Sequence, residues 1–185
     1  MATTLKQIAQ YLDQCRWRYS VDEAHSRILT GVAAECGEPF AVAIELLENG
    51  EYIQFYAPRL LSGVADHPHR ELIFRTLLSL SWTCKMLRWE YDLIDGEVRA
   101  AIEFPLADTG LSEKQFYRCL NGLVELIDKV AMPRLQAVMT TGIDPGEVEL
   151  GERLLLMLQE SAPTGFVDAI SQAATRRKKP KVVSI

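Results

Sequence analysis

Several short stretches of the chain alternate apolar with polar residues, which is the pattern of strands that bury one face. Two pairs of these stretches are joined by Asn49-Gly50 and by Asp95-Gly96. Both dipeptides tolerate the positive φ angles of a two-residue type I′ turn, so each pair is predicted to form a β-hairpin. The paired stretches are Phe40–Glu48 with Glu51–Ala57, and Leu87–Ile94 with Glu97–Phe104.

Other segments repeat apolar residues every three or four positions and are predicted to be helices. Thr4 with Gln7, and Ser112 with Gln115, have the spacing of a capping box at a helix start. Pro133 is expected to bend or break the long helix that starts at Ser112. The predicted helices are Thr3–Arg16, Asp66–Met86, Ser112–Val130 and one that starts at Asp144-Pro145 and leads into Leu154–Leu158.

The order of these elements predicts an α+β fold. We expect an antiparallel sheet of about five strands, with helices packed on one face and an extra C-terminal helix. The alternation over Ile28–Ala34 predicts one of these strands, and another strand could start within Trp17–Val21. The predicted organisation is an α+β domain over residues 1–140, an additional helix over 141–165 and a weakly structured basic tail over 166–185.

Composition and charge narrow the class of partner. Hydrophobic residues form 48% and charged residues 24% of the 185 residues, which is typical of a folded globular protein. The net charge of -5 is uneven, because Thr175–Ile185 holds five basic residues and no acidic one, which leaves 15 basic against 25 acidic residues elsewhere. An acidic body repels nucleic-acid phosphates, so nucleic acid is expected to bind only weakly, through the tail, if the tail is more than a solubilising segment.

The sequence gives no sign of membrane insertion or secretion. No stretch approaches the roughly 18 uninterrupted apolar residues of a membrane span, and Met1–Lys6 has neither part of a secretory signal. We therefore expect a cytoplasmic protein. The four cysteines are widely spaced and are expected to be reduced, since neither a zinc-ligand pair nor a disulfide framework is visible.

Candidate catalytic and metal-ligating residues have plain structural explanations. His67 and His69 beside Asp66 lie two residues apart, which on a helix points them in different directions, so a polar helix start is favoured over a metal site. Acidic residues on alternating strands could pair as general acid and base, but a solvated sheet face explains them equally well. No nucleotide-binding, hydrolase or metalloprotease motif occurs, and we expect no enzyme activity and no cofactor. The acidic residues are Glu45, Glu90, Asp92 and Glu103.

Five segments between about Thr3 and Leu135 carry a resemblance to a known family. They are Glu51–Pro58, Trp89–Asp92, Gly96–Arg99, Glu103–Leu106 and Leu111–Gln115. In these segments the chain resembles the YbjN family, whose fold is that of the type III secretion chaperones. The resemblance implies a small, non-enzymatic, often dimeric protein that binds segments of other proteins or acts in regulation. The helix from Asp144 onward and the basic tail exceed the common core.

The predicted helices are more apolar than one sheet can cover, and such an excess usually marks a protein interface. We expect a homodimer, the simplest closed assembly, that binds an unknown polypeptide client at a sheet edge or in an apolar helix groove. One alternative is an enzyme or ligand-binding protein with a pocket between the sheet and the long helix, lined by Glu90, Asp92 or Arg99. Another is a regulator that docks to nucleic acid through its tail. The predicted partner or dimer interface consists of Phe74, Leu78, Trp82, Leu123 and Leu126.

Overall fold

The computed structural model of the chain describes residues 2–106, 109–161 and 163–178. It divides into two compact units, Met1–Asp144 and Pro145–Ile185. The division lies four residues after the boundary that we placed at residue 140. Each unit is described by itself.

The first unit is built on an antiparallel sheet, as the alternating pattern predicts. It has six strands in the order β1-β2-β3-β4-β6-β5, one more than expected. The additional strand forms at the N-terminal edge, where Tyr19 pairs with Thr30 of the next strand. The strands are β1 (Tyr19–Asp22), β2 (Arg27–Val32), β3 (Phe40–Leu47), β4 (Tyr52–Leu61), β5 (Arg88–Tyr91) and β6 (Val98–Pro105).

Helices pack on one face of this sheet, which confirms the predicted α+β class. Helices α1 and α3 lie over the central strands and enclose the fully buried Phe55 and Phe116. Helices α2 and α4 pack together near the end of β4, around Leu61, Leu77 and Leu135. The helices of this unit are α1 (Leu5–Gln14), α2 (Arg70–Thr83), α3 (Glu113–Glu125) and α4 (Met132–Thr141).

Both predicted hairpins form, but neither has a two-residue turn. Glu48, Asn49 and Gly50 all have positive φ, so β3 and β4 are joined by a longer loop. A Cβ atom on Gly50 would lie 2.3 Å from the carbonyl oxygen of Thr3, so both the backbone angle and the space at this position require glycine. In the second hairpin the positive φ is at Gly96. The first strand ends earlier than predicted, at Tyr91, and the second begins one residue later than predicted, at Val98.

Pro133 does not break the long helix, which was one of the two outcomes that we expected, but the α-helical hydrogen bonding changes directly before it. A wider π-helical turn, Leu126–Ala131, connects α3 to α4, and Pro133 occupies the first turn of α4. A proline cannot donate a hydrogen bond to the carbonyl group four residues earlier. The local change to π-helical hydrogen bonding directly before it accommodates this missing donor while the backbone stays helical.

Asp128 in the π-helical turn holds the loop after β2. Its carboxylate accepts hydrogen bonds from the backbone N–H groups of Glu35 (2.8 Å) and Cys36 (2.9 Å), and the residue is only 4% exposed. These two backbone hydrogen bonds lower the pKa of the Asp128 carboxyl below its ordinary value. The ionised form therefore ties the long helix to the loop.

We expect the stability contributed by Asp128 to disappear in acid. Because its folded-state pKa lies below the unfolded value of about 3.9, the contribution is complete above pH ~4 and is lost as the pH falls through the folded-state pKa. The variant Asp128→Asn should be less stable than the parent protein at neutral pH, and the difference should shrink below pH ~4. Urea unfolding midpoints across this pH range measure it, and a pH-independent difference would contradict the assignment.

The second unit consists of α5 (Pro145–Ser161) and α6 (Phe166–Lys178), joined by a short turn around Gly165. Helix α5 begins at Pro145, as predicted from an N-cap followed by proline. The residues Phe166–Lys178 are helical, although we predicted weak structure from residue 166 onward. Phe166, Ala169 and Ile170 have the apolar spacing of a helix. The prediction of weak structure rested on the basic composition of the tail and did not consider this spacing. Residues 179–185 of the predicted tail lie outside the described residues.

Within the described ranges no helix is long and apolar enough to cross a membrane.

Candidate partner-binding surface

Helix α2 has one buried side and one strongly apolar exposed side. Ile73, Leu77 and Leu80 point into the second core cluster. Leu78 and Trp82, one helical turn apart, are 72% and 91% exposed. We call this pair the α2 outer face. Single exposed apolar residues are ordinary, whereas an adjacent leucine and tryptophan exposed to this degree are not.

Phe74 lies at the margin of this face. Its side chain is partly buried, and its ring meets the ring of Tyr91 edge-on at a centroid distance of 5.0 Å. Tyr91 belongs to β5, so this contact fixes α2 beside the outer strand of the sheet. Leu126, at the start of the π-helical turn, is likewise only partly buried.

Leu123, which we predicted to lie in the interface, does not belong to an exposed surface. It is fully buried in the core beneath α3, together with Leu120 and Ile127. The apolar stripe of α3 faces the sheet, so the Leu123 side chain packs in the core and cannot contact a partner. The sequence pattern of α3 alone could not distinguish a leucine facing the sheet from one facing a partner.

The strand next to α2 is the outer strand of the sheet. Among the strands that the structure describes, β5 pairs with β6 alone, so the backbone on its other side has no strand partner there. After it, Leu93 and Ile94 are 87% and 94% exposed. The sequence did not indicate these two residues as exposed, because its alternating pattern predicted that both lie inside a strand. The Asp92 carboxylate accepts a hydrogen bond from the Ile94 N–H group (2.7 Å), which fixes this loop.

The open face of the sheet carries a network of paired charges. Arg88 contacts Glu90 (2.7 Å) and Glu103, and Arg99 contacts Glu90. The guanidinium of Arg99 also lies 5.0 Å from the ring centroid of Tyr56. These contacts cross β5, β6 and β4 and stabilise the edge of the sheet.

Glu103, one of the acidic residues that the sequence offered as an acid or a base, does not have the pKa shift of a general acid. Burial alone would raise the pKa of Glu103, but hydrogen bonds from Arg88 and Tyr52 outweigh it and lower this pKa. A general acid needs the opposite shift. Glu90 and Arg99 lie on the sheet face opposite to the long helix, and buried side chains including Phe55, Phe116 and Leu120 fill the space beneath that helix. Glu90, Asp92 and Arg99 do line a cavity of about 400 Å³, but it lies at the second hairpin, beside Leu93 and Glu97, and not between the sheet and the long helix.

The two histidines before α2 contact each other at the start of the helix. Their ring centroids are 5.7 Å apart, and the backbone N–H of His69 donates a hydrogen bond to Nδ1 of His67 (3.1 Å). Across the described residues, no three His, Cys, Asp or Glu side chains gather closely enough to hold a metal ion. The arrangement is that of a hydrogen-bonded turn.

Several solved structures have a fold similar to that of this chain. YbjN from E. coli, described as a putative transcription regulator, is similar to the chain at 14% identity and a TM-score of 0.55, covering 74% of this chain and 92% of YbjN. A chain of the ExsC–ExsE complex is similar at 20% identity and a TM-score of 0.51, covering 76% of this chain and 99% of its own length. A chain of the HopA1–SchA chaperone–effector complex is a weaker match, at 17% identity and a TM-score of 0.45, covering 64% of this chain and 84% of that one.

These similarities show a YbjN-like, secretion-chaperone-like fold, which confirms the resemblance seen in the sequence. No model of a protein family matches the sequence, and no protein of curated function matches it either. At these identities the similarity establishes the architecture, and the function must be argued from the surface of this chain.

Proposed function

We propose that this protein is a non-enzymatic, protein-binding module of the cytoplasm, a chaperone-like or regulatory adaptor that acts as a homodimer. The observation that carries this proposal is the exposure of Leu78 and Trp82 on the α2 outer face. Tryptophan is among the residues most enriched at the energetic centres of protein interfaces. Its large apolar surface gains most when another polypeptide removes it from water.

A second copy of the chain is the proposed occupant of the α2 outer face. In a two-fold dimer the same patch occurs on both subunits, so Trp82 of each copy can pack beside Leu78 of the other. Phe74 and Leu126, both partly buried, are proposed to form the margin of this contact. Fully buried Leu123 takes no part in it.

A polypeptide client is proposed to bind at the outer strand β5. An unpaired strand edge can accept an extended segment by main-chain hydrogen bonding, while neighbouring side chains select its sequence. Here the neighbours are the apolar Leu93 and Ile94, which favour a client segment with apolar residues. That a chain of the same fold occurs in a complex with a second protein, ExsC with ExsE, supports a polypeptide partner.

Charged substitutions on the α2 outer face test the dimer. Leu78→Glu and Trp82→Glu should each raise the dissociation constant of the dimer by about 30-fold or more, the effect of losing an interface centre worth ~2 kcal/mol. Multi-angle light scattering on a dilution series should show the average mass of each variant falling towards that of a monomer at concentrations where the parent protein remains dimeric.

Val21→Glu is the matched control. Val21 is also an exposed apolar residue, but it lies on β1, at the opposite edge of the sheet from β5. This variant should keep the dissociation constant of the parent protein. A parent protein that is monomeric throughout, or α2 variants that dissociate no more readily than Val21→Glu, would refute the proposed dimer.

A further inference from the structure

We propose that the client segment bound at β5 carries a lysine or arginine next to an apolar residue, and that the basic side chain enters the cavity at the second hairpin. We base this inference on the proposed function, because the cavity lies at the same edge of the sheet. Three features carry it, namely the place of the cavity, its net negative charge and the exposed apolar residues beside it.

The cavity opens on the face of the sheet away from the helices, at the outer strand β5. Glu90 of β5 and Arg99 of β6 are register partners on that face. The backbone N–H of Asp92 donates a hydrogen bond to the carbonyl oxygen of Glu97 (2.9 Å), which continues the pairing beyond the strands. Side chains two residues apart on a strand share a face, so these four charged residues gather on one side. A segment added beside β5 therefore passes the cavity.

The lining of the cavity has a net negative charge. It contains three carboxylates and one guanidinium, a net charge of -2, along with Tyr91 and Leu93. Glu90 is held by Arg88 and Arg99, so its charge is neutralised within the chain. The negative charge that remains available to a partner therefore belongs to the other two carboxylates.

Asp92 and Glu97 are these two carboxylates, and among the described residues neither of them forms an ion pair. Each accepts one backbone hydrogen bond, Asp92 from the N–H of Ile94 (2.7 Å) and Glu97 from the N–H of Arg59 (3.1 Å). A carboxylate has about four lone-pair sites for hydrogen bonds. Both side chains can therefore still bind a cationic group that comes from outside the chain.

The shape of the site favours a basic side chain over a metal ion. Within the described part of the chain, no group of acidic, histidine or cysteine side chains is close enough to hold a metal. Lysine and arginine instead combine a long apolar stem with a charged head. The stem would pack on Leu93, which is 87% exposed, while the head reaches Asp92 or Glu97. Nucleic-acid phosphates would be repelled by the same carboxylates.

The apolar neighbour of the basic residue has a site of its own. Leu93 and Ile94 are adjacent and almost fully exposed, so an apolar side chain of the client can cover them. In an extended segment successive side chains point to opposite faces. A client that alternates basic with apolar residues therefore directs every basic side chain to the face with the cavity.

Peptide binding to the full-length protein tests this preference. The probe is a labelled eight-residue peptide that alternates lysine with isoleucine, and its matched partner alternates glutamate with isoleucine. In fluorescence polarisation the lysine peptide should bind at least about 10-fold more tightly than the glutamate peptide. Its binding should weaken several-fold when the ionic strength rises from about 0.05 M to about 0.5 M, because salt screens exposed charges.

Two substitutions of nearly unchanged shape isolate the charge of the cavity. Asp92→Asn combined with Glu97→Gln removes two negative charges and keeps a side-chain oxygen for each backbone N–H. The dissociation constant of the lysine peptide should rise about 5- to 10-fold. The control combines Glu23→Gln with Glu38→Gln, two exposed residues in the loops before β2 and before β3, away from β5. It removes the same charge and should change the constant less than about 2-fold.

A third variant separates this inference from the proposed client site. Leu93→Ser combined with Ile94→Ser removes the apolar neighbours without changing the charge, and it should weaken both peptides. If this variant weakens them but the parent protein binds both peptides equally, the client site stands and the preference for a basic residue is overturned. Equal effects of the cavity variant and the Glu23 and Glu38 control would also overturn it. If neither peptide binds the parent protein at about 1 mM, both the client site and the basic preference are refuted.

Discussion

Replacing Arg134 with alanine is expected to lower the free energy of unfolding of the first unit by about 3–5 kcal/mol. Arg134 binds the Asp144 carboxylate with two hydrogen bonds, from Nε to Oδ1 (2.6 Å) and from Nη2 to Oδ2 (2.8 Å). Asp144 is only 3% exposed and also accepts a hydrogen bond from Thr76 of α2 (3.0 Å). The substitution removes two charge-assisted hydrogen bonds from a buried carboxylate, which costs far more than the loss of an exposed pair.

The pair between Lys129 and Glu35 is the internal comparison for this prediction. Its Nζ–Oε2 distance is 3.4 Å, and its side chains are 50% and 73% exposed. Water and salt screen such a pair, so Lys129→Ala should have a small fraction of the effect of Arg134→Ala. Urea unfolding followed by tryptophan fluorescence measures both variants. Similar losses for the two would mean that the Arg134–Asp144 contact does not hold α4 against α2 in solution.

Removing the ring of Phe116 is expected to cost about 3–5 kcal/mol of unfolding free energy. Phe116 is fully buried between α3 and the sheet, with ring centroids 5.7 Å from Phe55 and 5.3 Å from Tyr11. Phe116→Ala would leave a cavity where the protein now has dense packing. The measurement is again the free energy of unfolding in urea.

Phe166→Ala makes the same chemical change at a residue that is 45% exposed, in the second unit. It should leave the unfolding of the first unit unchanged. If Phe116→Ala were tolerated as well, the space beneath α3 would not be a packed core, and the alternative of a ligand pocket between sheet and helix would return.

The alternation of side chains predicted the sheet because that pattern is local. A strand that buries one face must place apolar residues at every second position, whatever its neighbours are. The same reasoning failed at the turns. Positive φ extends back to Glu48, and the hairpin loop after β5 is held by the side chains of Asp92 and Asp95, which no dipeptide rule describes.

The functional surface was only partly predictable from the sequence. Leu78, Trp82 and Leu123 all occur in apolar helices, and sequence periodicity does not say which side of a helix meets the sheet. The packing of α2 on α4 exposes the first two residues, while the packing of α3 on the central strands buries the third. The exposure of Leu93 and Ile94 could not be predicted for another reason. The strand ends at Tyr91, whereas the alternating sequence pattern continues beyond it.

The fluorescence of Trp82 is the most direct measure of whether a polypeptide covers the α2 outer face. Subtracting the spectrum of Trp82→Phe from that of the parent protein isolates this indole from Trp17 and Trp89. We expect blue-shifted emission that is shielded from acrylamide at dimer concentrations and becomes red-shifted and quenchable on dilution or in the Leu78→Glu variant. Emission typical of a fully hydrated indole at every concentration would contradict the claim that this face is a binding surface between copies.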